Sequence, residues 1–205
     1  MKRTSLTAII FILAANGANA VIINQWASYV DDYSSQWSSS GYSANQVIGS
    51  PDTFTYGDHS TAWAMKHKNG KKGATEFIEV SFLNPVYSIG ALIRETYGNG
   101  FVTQVEARDV NDIFHIVWQG VDTSPSGQPF DFIASWAETS YLVDGLRITI
   151  DPKATSTWEE IDAIGLRSNS SATNNSTSVP DTGNTIVLFG LGLLCLIGMR
   201  RRLTK

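Results

Sequence analysis

The sequence predicts an all-β domain, a β-sandwich or barrel, and three observations support this. Apolar and polar residues alternate with period two over short runs. Clusters of Gly, Pro, Asn, Asp and Ser separate those runs. No stretch of the polar body sustains an apolar stripe at i, i+3, i+4 and i+7 over three turns, so helices are short or absent. No 20 to 50-residue period repeats, which excludes a solenoid or propeller.

The strands follow in order. In FIEVSF, Ile78, Val80 and Phe82 share one face while Glu79 and Ser81 share the other. In VYSIGALIRETY, Tyr87, Ile89, Ala91 and Ile93 line up, with Arg94 opposite. FVTQVEA turns Val105 and Ala107 inward and Gln104 and Glu106 outward. FHIVW aligns Phe114, Ile116 and Trp118, which leaves His115 on the surface. LVDGLRITI sets Leu146, Ile148 and Ile150 against Arg147 and Thr149, and EIDAIGL closes the domain.

The two ends differ from this body. MKRTSLTAIIFILAANGANA carries Lys2 and Arg3, an apolar stretch from Leu6 to Ala15, and small residues up to Ala20. That is the order of a secretory signal peptide cleaved after Ala20, and the apolar stretch is short for a span of ~20 residues. The ends hold six of the fifteen basic residues, so nine basic residues face eighteen acidic ones between Val21 and Pro180, a net charge of about −9. Such a body is not a general nucleic-acid or anionic-membrane binder. Its one cysteine, Cys195, lies in the C-terminal apolar run, which excludes disulfides and Cys-ligated metal from the body.

Residues 168–178, SNSSATNNSTS, cannot form a core and read as a spacer. The expected organisation is therefore a signal peptide at 1–20, a β-sandwich at 21–167, the spacer, and a C-terminal segment at 179–205 with a membrane helix at about 185–199.

The body offers little sign of catalysis. His59, His67 and His115 fit neither H-E-x-x-H nor a metal-binding helix face, and there is no G-x-S-x-G elbow. Acidic pairs occur at Asp31-Asp32, at Asp109 with Asp112, and at Glu159-Glu160 followed by Asp162. Two carboxyls can hydrolyse a glycoside at ~5 to 10 Å separation, but their use with loop carbonyls as Ca2+ ligands is the better fit, without an EF-hand spacing. MKHKNGKKG gathers Lys66, Lys68, Lys71 and Lys72 around Asn69-Gly70, a hairpin tip that serves as a solvated turn or as a docking point for an acidic polysaccharide. Trp37, Tyr42, Tyr56 and Trp63 lie in the irregular region from Ser34 to Ala64, and Trp136 and Trp158 flank later turns, where they cap the sandwich or stack on sugar rings.

Five motifs carry a resemblance: YSANQVIGSPDT (Tyr42 to Thr53), YGDHSTAWA (Tyr56 to Ala64), FIEVSF (Phe77 to Phe82), PVY (Pro85 to Tyr87) and ETYGNG (Glu95 to Gly100). In this order they resemble the scarf-like domain of pappalysin-type and bacterial surface proteins, from about Ala27 to Leu166. The resemblance implies a galactose-binding-like jelly roll, and it says little about activity, because that superfamily hosts carbohydrate binding, protein binding and scaffolding. Ligands of such sandwiches meet the loops at one end, which makes Asp52, Asp58, Trp63 and Glu95 the candidates for a ligand or ion edge. A turn pinned by side chains would use the same residues.

The tail, Val179, Pro180, Asp181, Thr182 and Gly183, then Ile186 to Met199, then Arg200, Arg201 and Arg202, resembles the VPDSG/VPDTG variant of the PEP-CTERM sorting signal handled by exosortases. VPDTG also fits the x-Pro-x-Thr-Gly of sortase substrates. The arginines act as a cytoplasmic stop that holds VPDTG just outside the inner membrane for a membrane-embedded protease-transpeptidase. The expected protein is a non-enzymatic, exported envelope or matrix module that needs no cofactor, with Ca2+ as a weak addition and extracellular polysaccharide or another envelope protein as a partner. A secreted glycan-active enzyme and a sortase-anchored adhesin are the alternatives.

Overall fold

The computed structural model describes residues 21–68 and 76–170. The signal peptide, the Asn69-Gly70 tip with Lys71 and Lys72, most of the spacer, and the sorting segment with its membrane helix lie outside the described residues. Among the described residues nine strands run in the order β1 Ile22–Trp26, β2 Tyr29–Tyr33, β3 Trp63–Ala64, β4 Glu76–Tyr97, β5 Val102–Asp109, β6 Phe114–Gln119, β7 Phe130–Ser135, β8 Leu142–Ile150 and β9 Glu160–Asn169. One short 3-10 turn occupies Ala44–Val47. The all-β class is as expected, and every strand pairing is antiparallel.

The 22-residue β4 organises the fold. Its first half pairs with β2 and β8, and its second half pairs with β9 and β7. The pairing with β8 is interrupted between Ser81 and Val86, where Leu83, Asn84 and Pro85 are exposed. Proline suits that point because it removes a ladder donor where none is needed. Gln25 pins the bend from the side: its amide nitrogen donates to the Asn84 carbonyl at 2.8 Å, and its amide oxygen accepts from the Asn84 N–H at 2.8 Å.

β4 thus passes from one layer, β2-β4-β8-β5-β6, into the other, β1 and β3 on β9, then β4 and β7. Ile78, Val80, Val105, Ala107, Leu146 and Ile148 from the first layer share one core with Ala91, Ile93, Ala134, Ile161, Ile164 and Leu166 from the second. Each large aliphatic side chain so buried contributes about 1.5 to 3 kcal/mol. An edge-to-face contact of Trp118 with Phe132, at 5.1 Å, joins the edge strands β6 and β7.

Alternation was read correctly in β5 and β8, where Val105, Ala107, Leu146, Ile148 and Ile150 are buried. It fails in three places, each with a physical cause. In β4, Val86 is a core residue while Tyr87 and Ile89 are only half-buried, because the register against β9 shifts between Ser88 and Gly90. In β6, Ile116 is 61% exposed and Val117 packs on the core. A bulge sets Val105 opposite Trp118 but Glu106 opposite Ile116, so the phase of β6 changes at Val117. His115, expected on the surface, is half-buried: it stacks on Tyr141 at 4.2 Å and its Nε2 lies 3.0 Å from Asp109 Oδ2.

Glu79, expected on the solvent face, is buried beneath two arginines. Its Oε2 accepts from Arg147 at 2.8 Å and its Oε1 from Arg108 at 3.3 Å. Arg108 also reaches Asp31 at 2.8 Å and Asp144 at 3.0 Å, and it holds a longer contact with Asp112. At the far end of the domain β9 continues to Asn169, beyond the expected boundary at Arg167, because β1 and β4 offer Ser168 partners in Ile23 and Ser88.

Candidate ligand groove

The long connections gather where β4 ends, β5 begins and β9 begins. Tyr97 lies opposite Glu160, and Val102 lies opposite Ile150. The Asp151 N–H donates to the Phe101 carbonyl and the Gly57 N–H to the Thr96 carbonyl, which fastens both flanking loops to this end.

A groove of about 250 Å³ opens here, lined by Trp37, Tyr42, Asp58, Ala64, Trp158 and Glu160. The backbone of Ala64 is its hub. The Trp37 N–H donates to the Ala64 carbonyl at 2.9 Å, the Ala64 N–H donates to the Tyr42 carbonyl at 3.3 Å, and Ala64 stands opposite Glu160 in the β3–β9 register. Three lining residues distant in sequence are thereby held around one small side chain.

The indoles of Trp37 and Trp158 meet edge to face at 5.1 Å and 63°. Trp37 is 54% exposed, so ring surface is open to a ligand. Gly98 sets the position of Trp158: it has φ of 63°, and a Cβ there would sit 2.3 Å from the Trp158 carbonyl oxygen. Only glycine combines this left-handed conformation with so close an approach.

The polar side of the groove is acidic. The Tyr42 hydroxyl donates to Asp58 Oδ1 at 2.5 Å, and this hydrogen bond, with partial burial, pushes the phenol up to about 12. Glu160 is fully buried; its Oε2 accepts the His59 N–H at 3.2 Å and its Oε1 has no hydrogen-bond partner. Burial raises Glu160 to about 8, the His59 N–H opposes that, and neighbouring Asp58 adds to it.

The structure separates the four predicted site residues. Asp58 lines the groove. Asp52 is exposed on the same loop, and its N–H, with that of Thr53, donates to Asp162, whose carboxyl burial raises to about 6. Trp63 cannot serve as a stacking platform: its ring is fully buried in the core, and its indole nitrogen donates to the Ser35 carbonyl at 3.0 Å. Glu95 is no surface ligand either. It is fully buried, accepts the Gly100 N–H at 3.1 Å, and is pushed up to about 10 by burial and by Asp122. Among the described residues no three acidic, histidine or cysteine side chains are grouped so as to hold a metal ion.

The residues that do meet were visible in the sequence only as loop aromatics and as one member of an acidic pair. Trp37, Tyr42 and Trp158 stood among six aromatic positions with nothing to separate exposed from capping ones. Glu160 lay in phase with no known motif. Their convergence depends on β3, a two-residue strand.

The described residues form an antiparallel β-sandwich with an aromatic and acidic groove at its loop end. The chain belongs to the family of the pappalysin-1 SD scarf domain, C-terminal, whose model matches residues 15–177. The VPDSG-CTERM motif matches residues 178–203, and this sorting motif marks the protein for export and the cell surface. No curated protein matches the chain.

Among solved structures, allantoicase from Saccharomyces cerevisiae is similar at 18% identity and TM-score 0.51, over 71% of this chain and 43% of that one. This chain therefore spans less than half of that enzyme. The family 32 carbohydrate-binding module of Clostridium perfringens NanJ, in complex with galactose, is similar at 14% identity and TM-score 0.48, over 71% of this chain and 100% of that one. The CBM32 of AlyQ, in complex with 4,5-unsaturated mannuronic acid, is similar at 15% identity and TM-score 0.48, over 70% of this chain and 97% of that one. These likenesses concern the fold.

Proposed function

We propose that this protein is a non-catalytic glycan-binding module displayed outside the cell. The observation that carries this reading is the groove itself: two indoles and a phenol offer faces for a pyranose ring, and Asp58 and Glu160 offer hydrogen-bonding oxygens beside them.

In this reading the signal peptide ends at Ala20, the sandwich rides on the Ser/Asn spacer, and the C-terminal helix holds the inner membrane transiently. An exosortase-type protease-transpeptidase acts at Val179 to Gly183, with Arg200, Arg201 and Arg202 on the cytoplasmic side. The product contributes to the extracellular matrix by binding polysaccharide.

Two measurements test this. The full-length chain in detergent, titrated with a panel of oligosaccharides, binds at least one without turning it over; release of reducing ends, abolished by Asp58→Asn, would make it an enzyme. Mass spectrometry of the protein recovered from its native host finds the C-terminal arginines removed; an intact Lys205 would rule out processing.

A further inference from the structure

We propose that the sugar selected by this groove carries a protonated primary amine, as in the unacetylated hexosamines of a partly deacetylated polysaccharide. This rests on the glycan-binding reading and adds the charge of the ligand. Three independent features point to a cation.

The first is composition. Among the described residues the lining contains two carboxyl side chains and three aromatic rings, and no lysine, arginine or histidine. Indole and phenol faces attract a cation through their quadrupoles, by ~0.5 to 2 kcal/mol according to exposure.

The second is an unfilled valence. Glu160 is fully buried at the groove, and its Oε1 has no hydrogen-bond partner. A buried acceptor without a donor is costly, and a ligand that brings N–H donors and positive charge relieves that cost.

The third is a contrast within the same chain. Buried Glu79 finds its countercharge inside the chain: it holds Arg108 and Arg147, and Arg108 in turn reaches Asp31 and Asp144. At the groove no ion pair to Asp58 or Glu160 is formed among the described residues. The charge complement is left for a ligand to supply.

A consequence follows for protons. The ionisable groups around Glu160 are Asp58 and Tyr42 on the long loop, Tyr97 opposite it on β4, and Glu159 just before β9; the His59 ring is turned to Thr55. Glu160 titrates at about 8 and so holds its proton at neutral pH in the free protein. An ammonium group favours the carboxylate, so binding releases that proton to the buffer. A neutral sugar provides no such drive.

The test is calorimetric titration of the full-length chain in detergent with a glucosamine oligosaccharide and with its N-acetylated counterpart, in two buffers of different ionisation heat. The amine form binds about tenfold more tightly, consistent with the cation–aromatic scale, and its heat differs between buffers. Asp58→Asn and, separately, Glu160→Gln bring the affinity ratio toward one, and Glu160→Gln removes the buffer dependence. Equal binding of both forms, or preference for the N-acetylated one, overturns the amine inference and leaves the glycan reading standing. Binding of neither, alongside a panel of neutral and acidic glycans, overturns both.

Discussion

Tyr42 donates its hydroxyl to Asp58 Oδ1 at 2.5 Å from a backbone with φ of 58°, a left-handed conformation that costs a tyrosine ~1 to 3 kcal/mol. Hydrogen bonds to both neighbours in the fold hold it there: the Tyr42 N–H donates to the Ser60 carbonyl, and the Tyr42 carbonyl accepts from Ala64. Strain kept at a groove wall fixes the position of an exposed carboxylate. Tyr42→Phe retains ring and backbone but frees Asp58; we expect ligand affinity to fall about tenfold, with a stability change of ~1 kcal/mol or less. Calorimetry paired with thermal denaturation separates the two effects.

Gly98 is the second positioning residue. Gly98→Ala drives a methyl group against the Trp158 carbonyl and places a non-glycine residue at φ of 63°. The 151–159 loop must move, so the Trp37–Trp158 contact is lost, and we expect more than a tenfold loss of affinity together with ~1 to 3 kcal/mol of stability. The outcome that would count against this is unchanged binding in a folded variant.

Glu95 gives the fold a pH dependence of definite sign. Its folded-state value of about 10 lies above its ordinary 4.5, so between those limits the native chain binds more protons than the unfolded one. Stability from this group is therefore full below pH 4.5 and is lost as pH rises toward 10. Glu95→Gln keeps an acceptor for the Gly100 N–H without titrating. Denaturation at two pH values should show the variant gaining on the parent by a few kcal/mol on moving from acid to mildly alkaline pH; a constant difference would contradict the assignment.

On the outer face of the first layer, Glu79 balances Arg108 and Arg147. Glu79→Ala leaves two guanidinium groups adjacent, and the Arg147 stacking on Phe77 and Phe114 compensates only in part. A loss of about 2 kcal/mol is expected by chemical denaturation, less than for a fully dry pair because Arg147 is partly exposed.

Much of the fold was legible in the sequence, and the misses have local causes. Period-two patterning located β4, β5 and β8, since burial on one face writes itself directly into alternation. It failed at Val86 and Ile116, where a register shift and a bulge change the phase without leaving a turn residue to mark them. Short edge strands such as β2 and β7 escaped notice because their exposure lets polar and apolar residues mix. The groove was the least legible part. Asp58 lay in a motif and was picked out with Asp52, but Trp63 and Glu95 from the same motifs are buried. Trp158 and Glu160 join Trp37 and Tyr42 only through the pairing of β3 with β9, distant in sequence, which local pattern does not record.

The central claim, that a glycan binds between Trp37 and Trp158, is open to one direct measurement. The chain has six tryptophans, and each indole N–H gives its own signal in a nitrogen-15 NMR spectrum. On titration with a bound oligosaccharide, the resonances of Trp37 and Trp158, assigned by single Trp→Phe substitution, should shift while those of Trp26, Trp63, Trp118 and Trp136 stay in place. Shifts confined to the latter four, or none at saturating ligand, would contradict the account.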